Sequence, residues 1–341
     1  MSQGPGTLSR RKLLGATLAA GVGAAVGGSL LKRSLGASRS RVFVGKAKDY
    51  SVDLADLLRR GLAEAGVGRE QIGGRRVLLK PNLVDTNQGQ LHVNTHPEVI
   101  RAAAEVFLKL GAASVLVAEG PANRRDTHEI LEATGVGEVL REDRIPFRDL
   151  NYEPGPRMPN AGGLTRLSSL VLPAVVSEVD YIVSVAKMKC HHWAGVTLSM
   201  KNLFGMMPGC IYGWPKNILH HVGLHDATVD IATTIGPDLA IVDGIVGMEG
   251  DGPLAGDPKP AGLLVVGSDL RAVDATCARI MGVDPLRVPY LADSVKLGVI
   301  AEADIREVGE AWRSVRDDFA LIPFPEHQAL RLVRLGSDPD N

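Results

Sequence analysis

Short apolar runs alternate along this chain with segments whose apolar residues recur every three or four positions. The runs RVFVGKA (41–47), RRVLLKPNLV (75–84), SVLVAEGP (114–121), VDYIVSVAKMK (179–189), LAIVDGIVG (239–247) and AGLLVVGS (261–268) predict strands. They are apolar on both faces, as expected of a sheet covered on each side. Segments 51–66, 96–112, 126–136, 269–282 and 284–298 carry helical spacing, with proline in the first turn of the second and Asp126 opening the third. Strand-then-helix recurs down the chain. This predicts an α/β fold: a layered sheet, largely parallel or mixed, with helices on both faces. Residues 143–166 are rich in Pro and Gly, show no period and read as a long loop. The expected organisation is an address segment over 1–40, one α/β domain over 41–325 and a tail over 326–341.

Polar residues stand where the strands end: Lys80 and Asn82, Glu119, Lys187 and Lys189, and Asp243. Ligands of open α/β sheets bind outside the carboxyl ends of strands, so these side chains are candidates for one cleft. The stretch KMKCHHWAGVTLSMKNLFG (187–205) concentrates the chemistry. On a strand, Lys187, Lys189 and His191 share a face. Lys201 and Asn202 follow on VTLSMKNLFGMM, which has helical spacing, and glycines 195, 205 and 209 permit close backbone approach. Several ammonium groups cannot be buried together without counter-charge. That charge comes from a bound anion or from acids such as Glu119 and Asp243; otherwise the lysines reach out to solvent.

Two further constellations are candidates. His221 and His225 lie four apart in NILHHVGLHDATVDIA (217–232), the spacing of a two-imidazole metal pair on one helix face, with proton transfer or anion binding as other roles. IVDGIVGMEGDGPLAGDP (241–258) carries Asp243, Glu249, Asp251 and Asp257 on a glycine-rich loop that suits Mg²⁺ or Ca²⁺, or is an ordinary set of turns. Asp274 is expected to face back from a helix and pair with a lysine. HExxH, GxGxxG after a strand, GxxxxGK[ST] and GxSxG are all missing from the sequence.

Composition narrows the partners. The net charge is −1, yet residues 1–41 hold seven basic residues and no acid. The remainder carries 31 basic against 39 acidic residues, which argues against nucleic acid as a partner and requires a local cluster to hold any anion. The amino terminus, SRRKLLGATLAAGVGAAVGGSLLKR, pairs Arg10 with Arg11 before an uncharged run from Leu13 to Leu31. It resembles a twin-arginine export signal, cleaved or kept as a membrane anchor through residues 13–31. The expected address is therefore periplasmic or extracellular, with the export machinery as a partner. The three cysteines, Cys190, Cys210 and Cys277, form no CxxC, so a cysteine-ligated iron–sulfur or zinc site is not expected.

KPN, THPEVIRA, KMKCHHWAGVTLSMKNLFG, IVDGIVGMEGDGP and AVDATCARIMG, in that order, resemble the family called domain of unknown function 362 over about residues 75–300. Many members carry a separate ferredoxin-type module; this sequence lacks that cysteine run, so the iron–sulfur label is not transferred. Cys190 stands where the family's pattern implies threonine, which opens a thiol role. The resemblance implies site positions at Lys80, Asn82, Lys187, Lys189, His191, Lys201, Asn202, Asp243, Glu249 and Asp274. The resulting expectation is an exported enzyme binding a small anionic substrate or cofactor, by redox or metal-assisted group transfer, with a non-catalytic anion-binding protein as the alternative. In it, Lys80, Asn82, Lys187 and Asn202 bind the anion. His191, Lys189 and Lys201 act chemically, His191 as acid–base. Glu119, Asp243 and Glu249, or more weakly His221 and His225, hold a divalent ion.

Overall fold

The computed structural model describes residues 39–333 apart from 87–88 and 122–125. The chain divides into two units, residues 1–39 and 40–341. The twin-arginine stretch itself lies outside the described residues. Among the described residues no helix is long and apolar enough to cross a membrane.

Twelve strands follow in chain order: β1 (Ser40–Lys46), β2 (Arg76–Pro81), β3 (Ser114–Glu119), β4 (Phe147–Asp149), β5 (Pro154–Pro159), β6 (Ser169–Pro173), β7 (Tyr181–His191), β8 (Gly195–Thr197), β9 (Leu239–Glu249), β10 (Asp257–Lys259), β11 (Leu263–Gly267) and β12 (Ile305–Gly309). All except β5 and β6 join one sheet, ordered β12-β1-β11-β9-β7-β2-β3-β4, with β10 beside β9 and β8 beside β7. From β9 to β4 that path is parallel, while β11 runs antiparallel to both its neighbours. The sheet is mixed, as the strand–helix alternation predicts.

Period two sorts the strand residues onto two faces. On β7, Val183 and Val185 pack with helices Leu54–Glu64 and Pro97–Lys109, whereas Ala186, Met188 and Cys190 pack with the opposite layer that holds helix Leu270–Ile280. Helix Leu54–Glu64 shows how the sequence specifies this layer. Asp53 accepts the Asp56 N–H and caps it, and Leu54, Leu57, Leu58 and Leu62 form its buried stripe. Truncating fully buried Leu58 to Ala should cost about 2–5 kcal/mol.

The parallel registers bring chemistry to one end of the sheet. Lys80 on β2 lies beside Ser184 on β7, and Lys187 on β7 lies beside Asp243 on β9. Beyond that pair the register shifts: Lys189 lies beside Met248, so β9 advances five residues while β7 advances two. The bulge in β9 separates Asp243 from the last residues of β7.

Several expected elements differ. Residues 143–166 are not one loop. They contain β4, a 3-10 turn (Leu150–Tyr152) and β5, which pairs only with β6. Proline-bearing β5 fits a two-stranded edge, where missing N–H donors are tolerated. The helix expected over 284–298 shrinks to Pro289–Asp293 and a 3-10 turn, Ser294–Leu297. The expected tail begins too early: His327 Nε2 lies 2.6 Å from the carbonyl of His192, and Arg331 bridges to Val283.

Candidate functional site

A cavity of about 320 Å³ opens at the carboxyl ends of β2, β3 and β7. Lys80, Asn82, Glu119, Lys189, His191, Lys201 and Asn202 all line it, although they span more than a hundred positions of sequence. Lys187, Asp243 and Glu249, expected at the same site, are not among its lining residues.

Lys80 and Glu119 form its buried ion pair. Lys80 Nζ donates to Glu119 Oε2 at 2.7 Å, to Asn202 Oδ1 at 2.8 Å and to the carbonyl of Pro81 at 2.6 Å. Glu119 also accepts the N–H of Leu83 and of Gly120. Burial pulls the Lys80 ammonium down and Glu119 opposes it. Gly205 makes this pair possible, since a Cβ there would strike Glu119 Oε1 and sit 2.7 Å from Lys80 Nζ. Gly209 likewise clears Asn151 and Trp214. These two glycines admit protein neighbours, where close approach to a ligand was expected.

Asn202 and Lys201 sit on a single helical turn, Ser199–Asn202, because the expected longer helix gives way to a 3-10 turn at Leu203. Asp274 holds that turn. Its carboxylate accepts the N–H of Ser199 at 2.8 Å, the hydroxyl of Ser199 at 2.5 Å and the N–H of Met200 at 3.0 Å. The lysine partner expected for Asp274 is replaced by this cap. Full burial pushes its carboxyl up to about 7, against the pull of those donors.

Lys201 has no carboxylate and no hydrogen-bond acceptor among the described residues; its Nζ lies 4.0 Å from the Phe204 ring centroid. Lost hydration and then the charge of Lys80 push it down to about 7. Lys189 Nζ donates to the carbonyl of Val93 at 2.6 Å and only weakly to that of Pro253. Burial first, then Lys187 and Lys201, holds it well below the usual lysine range. Lys216 is a third such group and was not anticipated. It is fully buried, lies in the left-handed region at φ +69°, and donates to Asn151 Oδ1. Burial pushes it down to about 8. A sequence signal existed: between Asn202 and His225 it is the one Lys, Arg, Asp or Glu. Three lysines without carboxylate partners among the described residues therefore border one cavity. Asn82 Oδ1 and Thr197 Oγ1, also on its lining, are buried without hydrogen-bond partners among the described residues. Unsatisfied buried polar atoms are rare in folded proteins, and these two lie where a guest would meet them.

The role expected of His191 changes. Its Nδ1 accepts the N–H of Trp193 at 3.0 Å and of Ala194 at 3.2 Å. The ring hydrogen is thereby assigned to Nε2, and burial with nearby Lys201 keeps the ring neutral. A neutral ring in this tautomer donates a hydrogen bond at Nε2 and has no free lone pair to take a proton.

The expected metal ligands do not gather. Glu119 is committed to Lys80 and two backbone N–H groups. Asp243 accepts from Lys187 Nζ at 2.8 Å, from the Tyr50 hydroxyl at 3.1 Å and from the N–H of His96 and Ile245. It is the counter-charge of Lys187, which lies in the sheet and not on the cavity. Glu249 accepts the N–H of Ala320. His221 and His225 fall on separate helices, Asn217–His221 and Leu224–Ile235, because Gly223 at φ +116° interrupts the chain between them. Among the described residues no group of three or more His, Cys, Asp or Glu is placed to hold a metal ion. Cys190 is buried and pushed up to about 12, so no thiolate forms there near neutral pH.

The model for the family described as domain of unknown function (DUF362) matches residues 77–279, a span that holds every cavity residue from Lys80 to Ala255 and also Asp274. Thylakoid-associated protein sll1697 of Synechocystis sp. (strain ATCC 27184 / PCC 6803 / Kazusa) is 32% identical over 243 residues, covering 69% of this chain and 71% of that one. Among solved structures, the lactate racemase apoprotein of Thermoanaerobacterium thermosaccharolyticum aligns with a TM-score of 0.41 and 15% identity, over 72% of this chain but 58% of its own. A Thermotoga maritima protein aligns with a TM-score of 0.36 and 14% identity, over 66% of this chain and 57% of its own. The family match and the relative at 32% identity agree: this chain belongs to the DUF362 family.

Proposed function

We propose that this chain is an enzyme that captures a small anion in the cavity at the ends of β2, β3 and β7 and moves a proton on it through Lys201. The observation that carries this reading is the convergence of Lys189, Lys201 and Lys216 on one cavity without carboxylate partners. Buried charge of one sign is costly, and a guest of the opposite sign removes the cost. Lys201, at about 7, is divided between amine and ammonium near neutral pH, the condition under which a general acid–base works best. Lys189 and Lys216 would hold the guest's charge. His191 Nε2–H and Asn82 would orient it, and the Lys80–Glu119 pair would fix Asn202. The acid–base role expected of His191 passes to Lys201. Metal assistance would require ligands other than Glu119, Asp243 and Glu249.

A purely capturing protein is the second reading. It is favoured by His191, whose basic nitrogen is already occupied. We further propose export by the twin-arginine route through residues 10–33 and work at a membrane face. The thylakoid association in the name of the relative supports this. Cell fractionation tests the export step, and a chain confined to the cytoplasm would refute it; mass spectrometry of the mature amino terminus tells a cleaved signal from a retained anchor.

Trinitrobenzenesulfonate labelling at pH 7 tests the site. Lys201 should react faster than surface lysines, which stay protonated there, and phenyl phosphate should protect it. Uniform labelling, unaffected by the anion, would contradict the proposal.

A further inference from the structure

The cavity reverses the usual order of polarity from surface to interior. Lysines ordinarily lie outside and apolar side chains inside. Here Lys80, Lys189 and Lys216 are fully buried, while the outer part of the same lining carries apolar groups alongside His192, His220 and Asp251, the last 3.5 Å from the His192 ring. Trp193 is 64% exposed, and Pro215 and Ala255 are exposed beside it on the lining. Leu83, Val84 and Leu254 continue the apolar wall inward. Trp193 is braced in place, with its ring edge-on to His192 at 4.9 Å and to His220 at 5.9 Å. A guest that was only a hydrated ion would gain nothing from this wall.

We infer that the ligand is an amphiphile, with a phosphate or carboxylate head among the buried lysines and an apolar or aromatic body lying outward against Trp193 and Leu254. The inference rests on the anion-capture reading and specifies its substrate class. Charge selects the head, and the apolar wall gains affinity from every methylene or ring carbon it removes from water. The same chemistry belongs to a soluble aromatic acid and to the head of an anionic lipid.

Calorimetry at pH 7.5 with the full chain separates these possibilities. Phenyl phosphate should bind at least about tenfold more tightly than inorganic phosphate, the gain expected for covering one ring. Trp193→Ala, at an exposed position that folding does not need, should weaken phenyl phosphate several-fold more than inorganic phosphate. Equal affinity for the two anions, with Trp193→Ala affecting neither, would overturn the amphiphile inference and leave anion capture standing. Silence with both anions would overturn both. Cosedimentation with phosphatidylcholine vesicles, with and without phosphatidic acid, then identifies the source. Binding that requires phosphatidic acid and is lost in Lys201→Met supports a lipid head. Indifference to the vesicles, with phenyl phosphate still bound, supports a soluble ligand.

Discussion

Asp274, on helix Leu270–Ile280, accepts the backbone N–H of Ser199 at 2.8 Å and thereby sets the helical turn that presents Lys201 to the cavity. The two residues are 75 positions apart, and neither lies on the cavity lining. Asp274 is thus a positioning residue. Asp274→Asn turns one acceptor oxygen into a donor facing an N–H, which should cost about 1–3 kcal/mol. Anion affinity should fall with it, and Asp274→Glu should not rescue either. The pH profile distinguishes this from a generic core defect. A carboxyl near 7 in the fold and about 4 when unfolded binds more protons folded, so its contribution to stability falls as pH rises from about 4 to 7. Thermal melts across that range should show a downward slope in the native chain that Asp274→Asn lacks.

Lys201→Met should produce a more stable protein that binds the anion more weakly. An amine near 7 in the fold and about 10.4 when unfolded binds fewer protons folded, so native stability rises with pH from about 7 to 10. The variant should melt higher than the native chain below pH 7, and the gap should close toward pH 10. Equal melts at pH 6 would mean that the ammonium is already compensated.

For Lys80 and Glu119 the opposite holds. Lys80→Met leaves Glu119 buried and unpaired and should cost about 3–5 kcal/mol. The double variant Lys80→Met/Glu119→Leu should recover much of that loss. Urea melts in a double-mutant cycle read the coupling, and additive losses would deny the pair.

The α/β order, the mixed sheet and the gathering of polar residues at strand ends were legible because each depends on local period: two on strands, three to four on helices. Lys80, Lys189, Lys201 and Asn202 were legible as a cluster for the same reason. Lys187 was misplaced. Period two does put it on the same face as Lys189, but the register with Asp243 and the bulge in β9, which depend on a neighbouring strand, decide which of the two reaches the cavity. Glu119 and Asp243 read equally well as metal ligands and as lysine partners until the strand order puts an ammonium against each. Lys216 was passed over because its segment has no period, only proline, glycine and short turns. Gly223 alone separated His221 from His225, and a helical-wheel argument treats such a glycine as tolerable.

Separating Lys187 from the site gives a prediction of its own. Lys187→Met should be destabilising by about 3–5 kcal/mol, since Asp243 would lose its buried partner. Lys187→Met/Asp243→Leu should restore most of the stability, and phenyl phosphate affinity in that double variant should stay within about threefold of native. A loss comparable to that of Lys201→Met would return Lys187 to the binding site.

The most direct test is calorimetric titration of phenyl phosphate at pH 8 in two buffers of different ionisation enthalpy. If amines deprived of carboxylate partners receive the anion, they must gain protons as it binds. The predicted result is net uptake of about one proton or more per ligand, reduced in Lys201→Met. Binding with no buffer dependence, or no binding at all, would contradict the account.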